Sequence, residues 1–134
     1  FRIIDNASKI INNIDVYDVS GLELHHKGKA DSPSGTAKMI ADIILKNVDR
    51  KDKLVTETLK RKITPNELHL TSVRGGTVPG THSILFDSDA DEIELTHKAR
   101  NRSGFATGAV LAAEWVKGKS GFFDIDDFMN EIIK

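Results

Sequence analysis

Residues 23–48 read ELHHKGKADSPSGTAKMIADIILKNV. Its second half carries Ala37, Ile40, Ala41, Ile44, Leu45 and Val48 at the i, i+3, i+4, i+7, i+8, i+11 spacing of an amphipathic helix. Ser34 or Thr36 can cap that helix, because a hydroxyl accepts from the unpaired first-turn N–H groups. Gly28 to Gly35 reads as a loop, with Pro33 and Ser34 as turn residues. Upstream, Tyr17 and Val19 alternate with polar neighbours between Asp15 and Leu24, which predicts a strand running into His25-His26. Strand, loop and helix in that order set the frame for the rest.

Before this stretch, Phe1, Ile3, Ile4, Ala7, Ile10 and Ile11 recur at helical spacing until Asn12-Asn13 breaks the pattern. After it, Asp49 to Lys62 is mixed in charge and reads as a solvated connection. Glu67–Arg74 and Ser83–Phe86 read as strands joined through Gly75-Gly76-Thr77-Val78-Pro79-Gly80. Ser88–Asp91 is a turn into a further strand over Glu92–Ala99, giving a hairpin. A third helix is predicted over Ser103–Val116, stopping near Gly118. The expected architecture is α+β, a small mixed sheet packed with about three helices, the sheet serving in oligomerisation.

The chain has 134 residues, enough for one domain with its own core. It has no cysteine, which excludes a disulfide scaffold, thiolate metal sites and a catalytic thiol. A formal charge of −1 gives no field for holding nucleic acid or an anionic membrane, and no apolar run approaches the length of a membrane helix. With no leading signal peptide, a cytoplasmic location is expected. The chain opens at Phe1, directly in an apolar periodic stretch, and so reads as a piece of a longer protein.

Chemistry concentrates between Glu23 and Ala37. The step Ser34-Gly35-Thr36 opens the strongest helix, where free N–H groups and the helix dipole favour an anion. Lys29 adds a full positive charge upstream, and His25 and His26 are side chains able to exchange protons near neutral pH. Plain helix capping, a solvated lysine and two surface histidines account for the same residues. A metal reading of His25 and His26 has less behind it: neighbours on a strand point to opposite faces, and no HExxH spacing or third ligand accompanies them. His69, His82 and His97 read as packing or pairing residues, and Trp115 as core. The glycine-rich segment 75–80 opens no helix and is no dinucleotide fingerprint.

The Glu23–Ala37 stretch closely resembles the substrate motif of the 4-hydroxy-tetrahydrodipicolinate (dihydrodipicolinate) reductase family. Ser72–Gly76 through His82, Glu94–Ala99 through Arg102, Phe105 and Ala106, and Gly121–Asp124 agree with further blocks of its C-terminal half. Ser32 stands where alanine is common in the motif. The resemblance implies one domain over residues 1–134 for substrate binding and oligomerisation. An N-terminal Rossmann domain for NADPH or NADH would lie outside this chain. It also implies reduction of a small cyclic dicarboxylate in lysine and diaminopimelate biosynthesis, a homo-oligomer (a tetramer), no metal, and an inactive fragment. Carried over by position, His25 resembles the proton donor and Lys29 its catalytic partner, while His26, Ser34, Gly35 and Thr36 resemble the substrate-carboxylate site. Arg102 and Phe105 fall where the family approaches the cofactor. A non-catalytic oligomerisation module is the alternative.

Overall fold

The structure is a computed structural model and describes residues 1–133. It divides into two compact units, residues 1–100 and residues 101 onward. The first contains α1 (Arg2–Asn12), β1 (Asp18–His25), α2 (Gly35–Asn47), β2 (Lys53–Val55), β3 (Glu67–Arg74), β4 (Thr81–Asp87) and β5 (Glu92–Lys98). The second contains α3 (Ser103–Val116) and α4 (Ile125–Ile132). The five strands form one mixed sheet in the order β2-β3-β1-β4-β5. β1 and β3 run parallel, as do β2 and β3, while β1–β4 and β4–β5 are antiparallel. The α+β class and the mixed sheet match the expectation. None of the described helices is long and apolar enough to cross a membrane.

Strand alternation sends Val19, Gly21, Glu23 and His25 of β1 to one face. In register beside them stand Leu70, Ser72 and Arg74 of β3 and Phe86, Ile84 and His82 of β4. The rows nearest the start of β1 are apolar and join Ile4, Ile11, Ala37, Ile40, Ala41 and Ile44 of α1 and α2 in the core. Gly21 lies in a tight place there: a Cβ would stand 3.1 Å from both Ile84 Cδ1 and Leu70 Cγ, so those side chains would have to give way. Toward the C-terminal end of β1 the rows turn polar. Ser72, Glu23, His82 and His97 form one row across four strands.

Two elements depart from expectation. The segment read as a solvated connection holds β2, with Val55 buried. Three residues are too few to show an alternating pattern. Beside it, Lys51 is buried and is satisfied by Asp18 Oδ1 at 2.6 Å and by the Pro65 and Glu67 carbonyls at 2.8 Å. Buried Glu67 accepts from both Arg61 guanidinium nitrogens at 2.7 Å, from Lys53 at 2.8 Å and from the Thr64 amide at 3.0 Å. Arg61 first, then Lys53, hold its carboxyl well below the usual range. Lys51, Lys53 and Arg61 of this stretch are therefore paired structure.

The second departure is α4, a fourth helix where three were expected. Asp124 caps it by accepting from the Asp126 and Asp127 amides, and Asp127 reaches back to the Asp124 amide. Trp115 is half-buried and meets the Phe123 and Phe128 rings edge-on at centroid distances of 5.5 and 5.4 Å. α3 itself buries no residue, and Gly118 at φ +80° follows its end.

Candidate functional site

Ser34 is the N-cap of α2, not Thr36: its Oγ accepts from the Ala37 amide at 3.1 Å, and Thr36 lies exposed in the first turn. The Ser34 amide donates to Glu23 Oε1 at 2.9 Å, which ties the helix start to the sheet. The same oxygen accepts from Ser72 Oγ at 2.8 Å and from the Arg74 guanidinium at 2.7 Å. Arg74 also donates to the Asp31 carbonyl at 2.6 Å and so fixes the loop between β1 and α2. Burial opposes the charge on Glu23, but the bonds from Ser34, Arg74 and Ser72 outweigh it and hold its pKa to about 2. It is a buried anion at neutral pH.

His25, two residues along the same face of β1, brings Nε2 to 3.8 Å from Glu23 Oε2. His82 brings its Nε2 to 3.5 Å from the same oxygen and 3.3 Å from Ser34 Oγ. The His25 and His82 rings meet edge-on at 5.3 Å, and His26 meets His25 at 6.4 Å. Burial pushes the His25 pKa down, Glu23 pulls it up, and Lys29 and Arg74 push it down again. His82 is lowered by burial first, with Glu23 opposing and His25 and His97 adding to the fall. Gly80 makes room for this packing, since a Cβ there would lie 2.8 Å from His25 Cε1.

Lys29 Nζ is paired with Asp31 Oδ1 at 2.6 Å. That pairing, with a hydrogen bond from the Gly35 backbone, holds the Asp31 carboxyl below its usual range. A carboxylate of the chain itself thus rests on two of the groups that the sequence assigns to a ligand carboxylate. The structure brings together Glu23, His25, His82, Ser34 and Ser72 and links Lys29 to the helix start through Asp31. Arg102 is the N-cap of α3 in the second unit, and Phe105 is exposed one turn later. An open groove of about 320 Å³ beside Tyr17, Arg50 and Pro65 lies by the opposite end of β1 and includes none of these groups.

Glu23, His25 and His82 turn one ligand atom each to within 4.8 Å of one another. That carboxylate already shares its charge with Arg74, so a divalent ion would meet a single anionic ligand and two imidazoles beside a guanidinium. The donor set suits a proton better than a metal. His26 stands outside it.

Sequence reasoning gave no site role to Glu23, Ser72 or Arg74, and read His82 as a packing or pairing residue. A carboxylate on the buried-parity positions of β1, two residues before a histidine, was the available signal for Glu23. Nothing in the sequence marked the register that sets Ser72 and His82 on either side of it.

Fold and site define an α+β domain whose sheet ends in a polar rim, a buried carboxylate set beside paired imidazoles. The chain belongs to the family described as dihydrodipicolinate reductase, C-terminus, whose sequence model matches residues 1–129. It is 37% identical over 133 residues to the 4-hydroxy-tetrahydrodipicolinate reductase of Neisseria meningitidis serogroup B, covering 96% of this chain and 49% of that protein. Identity to the enzyme of the same name from Archaeoglobus fulgidus is 40% over 134 residues, covering 96% and 51%. The chain spans about half the length of these curated relatives. Its fold is similar to that of a dipicolinate-bound dihydrodipicolinate reductase from Paenisporosarcina sp. TG-14, with a TM-score of 0.65 and 23% identity over 86% of this chain and 44% of that one.

Proposed function

We propose that this chain is the substrate-holding and assembly portion of a reductase that converts 4-hydroxy-tetrahydrodipicolinate to tetrahydrodipicolinate. A Rossmann domain outside residues 1–134 holds the nicotinamide. The observation that carries the reading is the attachment of the α2 N-terminus to β1 through Ser34 and Glu23, which sets a helix-end anion site beside His25. Lys29 and the Gly35 amide receive one substrate carboxylate in place of Asp31, and His26 and Thr36 complete that clasp. His25 gives the proton that accompanies reduction, its ring held between Glu23 and His82. Whether NADPH or NADH, the cofactor supplies the hydride; the exposed cation Arg102 and exposed ring Phe105 suit its phosphate and ring.

Exposed apolar side chains on α3 (Val110, Leu111) and on the edge strand β5 (Ile93) support assembly into a homo-oligomer, a tetramer in the complete enzyme. Calorimetric titration of the chain with pyridine-2,6-dicarboxylate tests the binding role. Binding is expected, with Lys29→Ala weakening it roughly ten- to a hundredfold through loss of a charge-assisted bond. In the complete enzyme, His25→Ala lowers turnover roughly a hundredfold or more. No binding heat from the chain, together with unimpaired turnover of the His25 variant, would leave only the assembly module.

A further inference from the structure

We propose that Glu23 is a positioning residue that raises the hold of the His25–His82 pair on a single shared proton, its free Oε2 acting as their common acceptor. The inference rests on the reading of His25 as proton donor and adds what offsets the burial that works against its protonated form. The two carboxylate oxygens have different fates. Oε1 takes the Ser34 amide, Ser72 Oγ and Arg74. Oε2 is buried with no hydrogen-bond partner, and so is His25 Nε2, which lies 3.8 Å away. Two buried acceptors facing each other repel and leave both lone pairs unsatisfied. The other ring nitrogen is engaged by the Pro79 backbone, so a proton added at Nε2 charges the ring and turns the same contact into a charge-assisted attraction. Each orphaned atom accounts for the other.

His82 enters on equal terms, with Nε2 at 3.5 Å from Oε2. The two rings touch edge-on, so charging both places like charges side by side, and the pair takes up one proton at a time. Every other charged or titratable neighbour opposes or ignores that proton. Lys29 from the loop and Arg74 from β3 act against a cation on His25, and His97 from β5 acts against one on His82. His26 meets His25 edge-on, and Asp31 is spent on Lys29. Glu23 supplies the negative charge that holds the proton in place. It touches no substrate in this scheme and acts through His25.

The test is an NMR titration of the histidine ring nitrogens of this chain from about pH 4 to about pH 9, which spans the ordinary histidine range. In Glu23→Gln the His25 midpoint is expected to fall by about one pH unit, a tenfold loss of proton affinity. In His82→Leu it rises, because the competing ring is gone and Oε2 serves His25 alone. An unshifted His25 midpoint in a folded Glu23→Gln chain overturns the proposal. Should that variant fail to fold, His82→Leu decides, since it leaves the bonds to Oε1 intact; no rise there overturns the proposal equally. The parallel titration with pyridine-2,6-dicarboxylate separates the two readings. Shifted midpoints without binding defeat the substrate role alone, and binding with unshifted midpoints defeats the role of Glu23 alone.

Discussion

Lowering the pH should unfold this protein partly through a single carboxylate. Glu23 has its folded-state pKa depressed, so the stability it contributes is complete above its ordinary value and is lost as pH falls toward the folded one. The difference between about 2 and the ordinary 4.5, at about 1.4 kcal/mol per pH unit, is worth about 3 kcal/mol in full. At about pH 3 roughly 2 kcal/mol of it is gone, since the unfolded chain is then mostly protonated at this position and the folded chain is not. Urea unfolding at about pH 6 and about pH 3 measures the loss directly. Glu67, Asp5 and other paired carboxylates contribute to the same acid loss, so the quantity to compare is the difference between the unaltered chain and Glu23→Gln. The variant starts less stable at neutral pH, because Arg74 loses its charged partner, yet its stability should fall by about 2 kcal/mol less between the two pH values. Equal losses in both chains refute the account of Glu23 as a buried anion held by Ser34, Ser72 and Arg74.

Three further outcomes are expected. Gly80→Ala drives a Cβ into His25 Cε1 at 2.8 Å, which should cost about 1–3 kcal/mol of stability; an unaltered melting temperature and an unmoved His25 signal would contradict the packing described. Asp31→Asn removes the charge resting on Lys29 and the Gly35 amide, so affinity for pyridine-2,6-dicarboxylate should rise about fivefold, worth about 1 kcal/mol. Weaker binding would mean that Asp31 supports the site instead of obstructing it. Ser34→Ala loses the cap on Ala37 and about 1 kcal/mol, read from denaturant midpoints, whereas Ser34→Thr retains most of it.

The sequence disclosed what repeats or what breaks a repeat. The stripe from Ala37 to Val48 told of α2 because a helix with one buried side must place apolar residues at that interval. The hairpin of β4 and β5 followed from a turn between alternating runs. β2 escaped because its sheet position depends on neighbours, not on its three residues. α4 need not have escaped: Ile125, Phe128, Met129 and Ile132 are helically spaced, and Asp124 with Asp127 forms a capping pair. In the site, Lys29, His25 and Ser34 were legible as a contiguous motif. His82 was read as a packing residue since its part comes from register: β4 sets it opposite Glu23 from 59 positions away in the chain. Such a partnership leaves no local trace.

The parallel ladder of β1 and β3 does not stop where the strands end. The Gly75 amide donates to the His25 carbonyl at 3.0 Å and the Lys27 amide to the Gly76 carbonyl at 3.2 Å, so two segments distant in sequence leave the sheet stitched together. An extra residue inserted at 25–27 or at 74–76 would unpick that seam and turn neighbouring side chains to the wrong side. Growth or shrinkage of the backbone in this region is thereby confined to the span 77–79, since Arg74 also pins the 28–33 loop through the Asp31 carbonyl. Loop-grafting that respects those limits would leave the stitched strand ends in place.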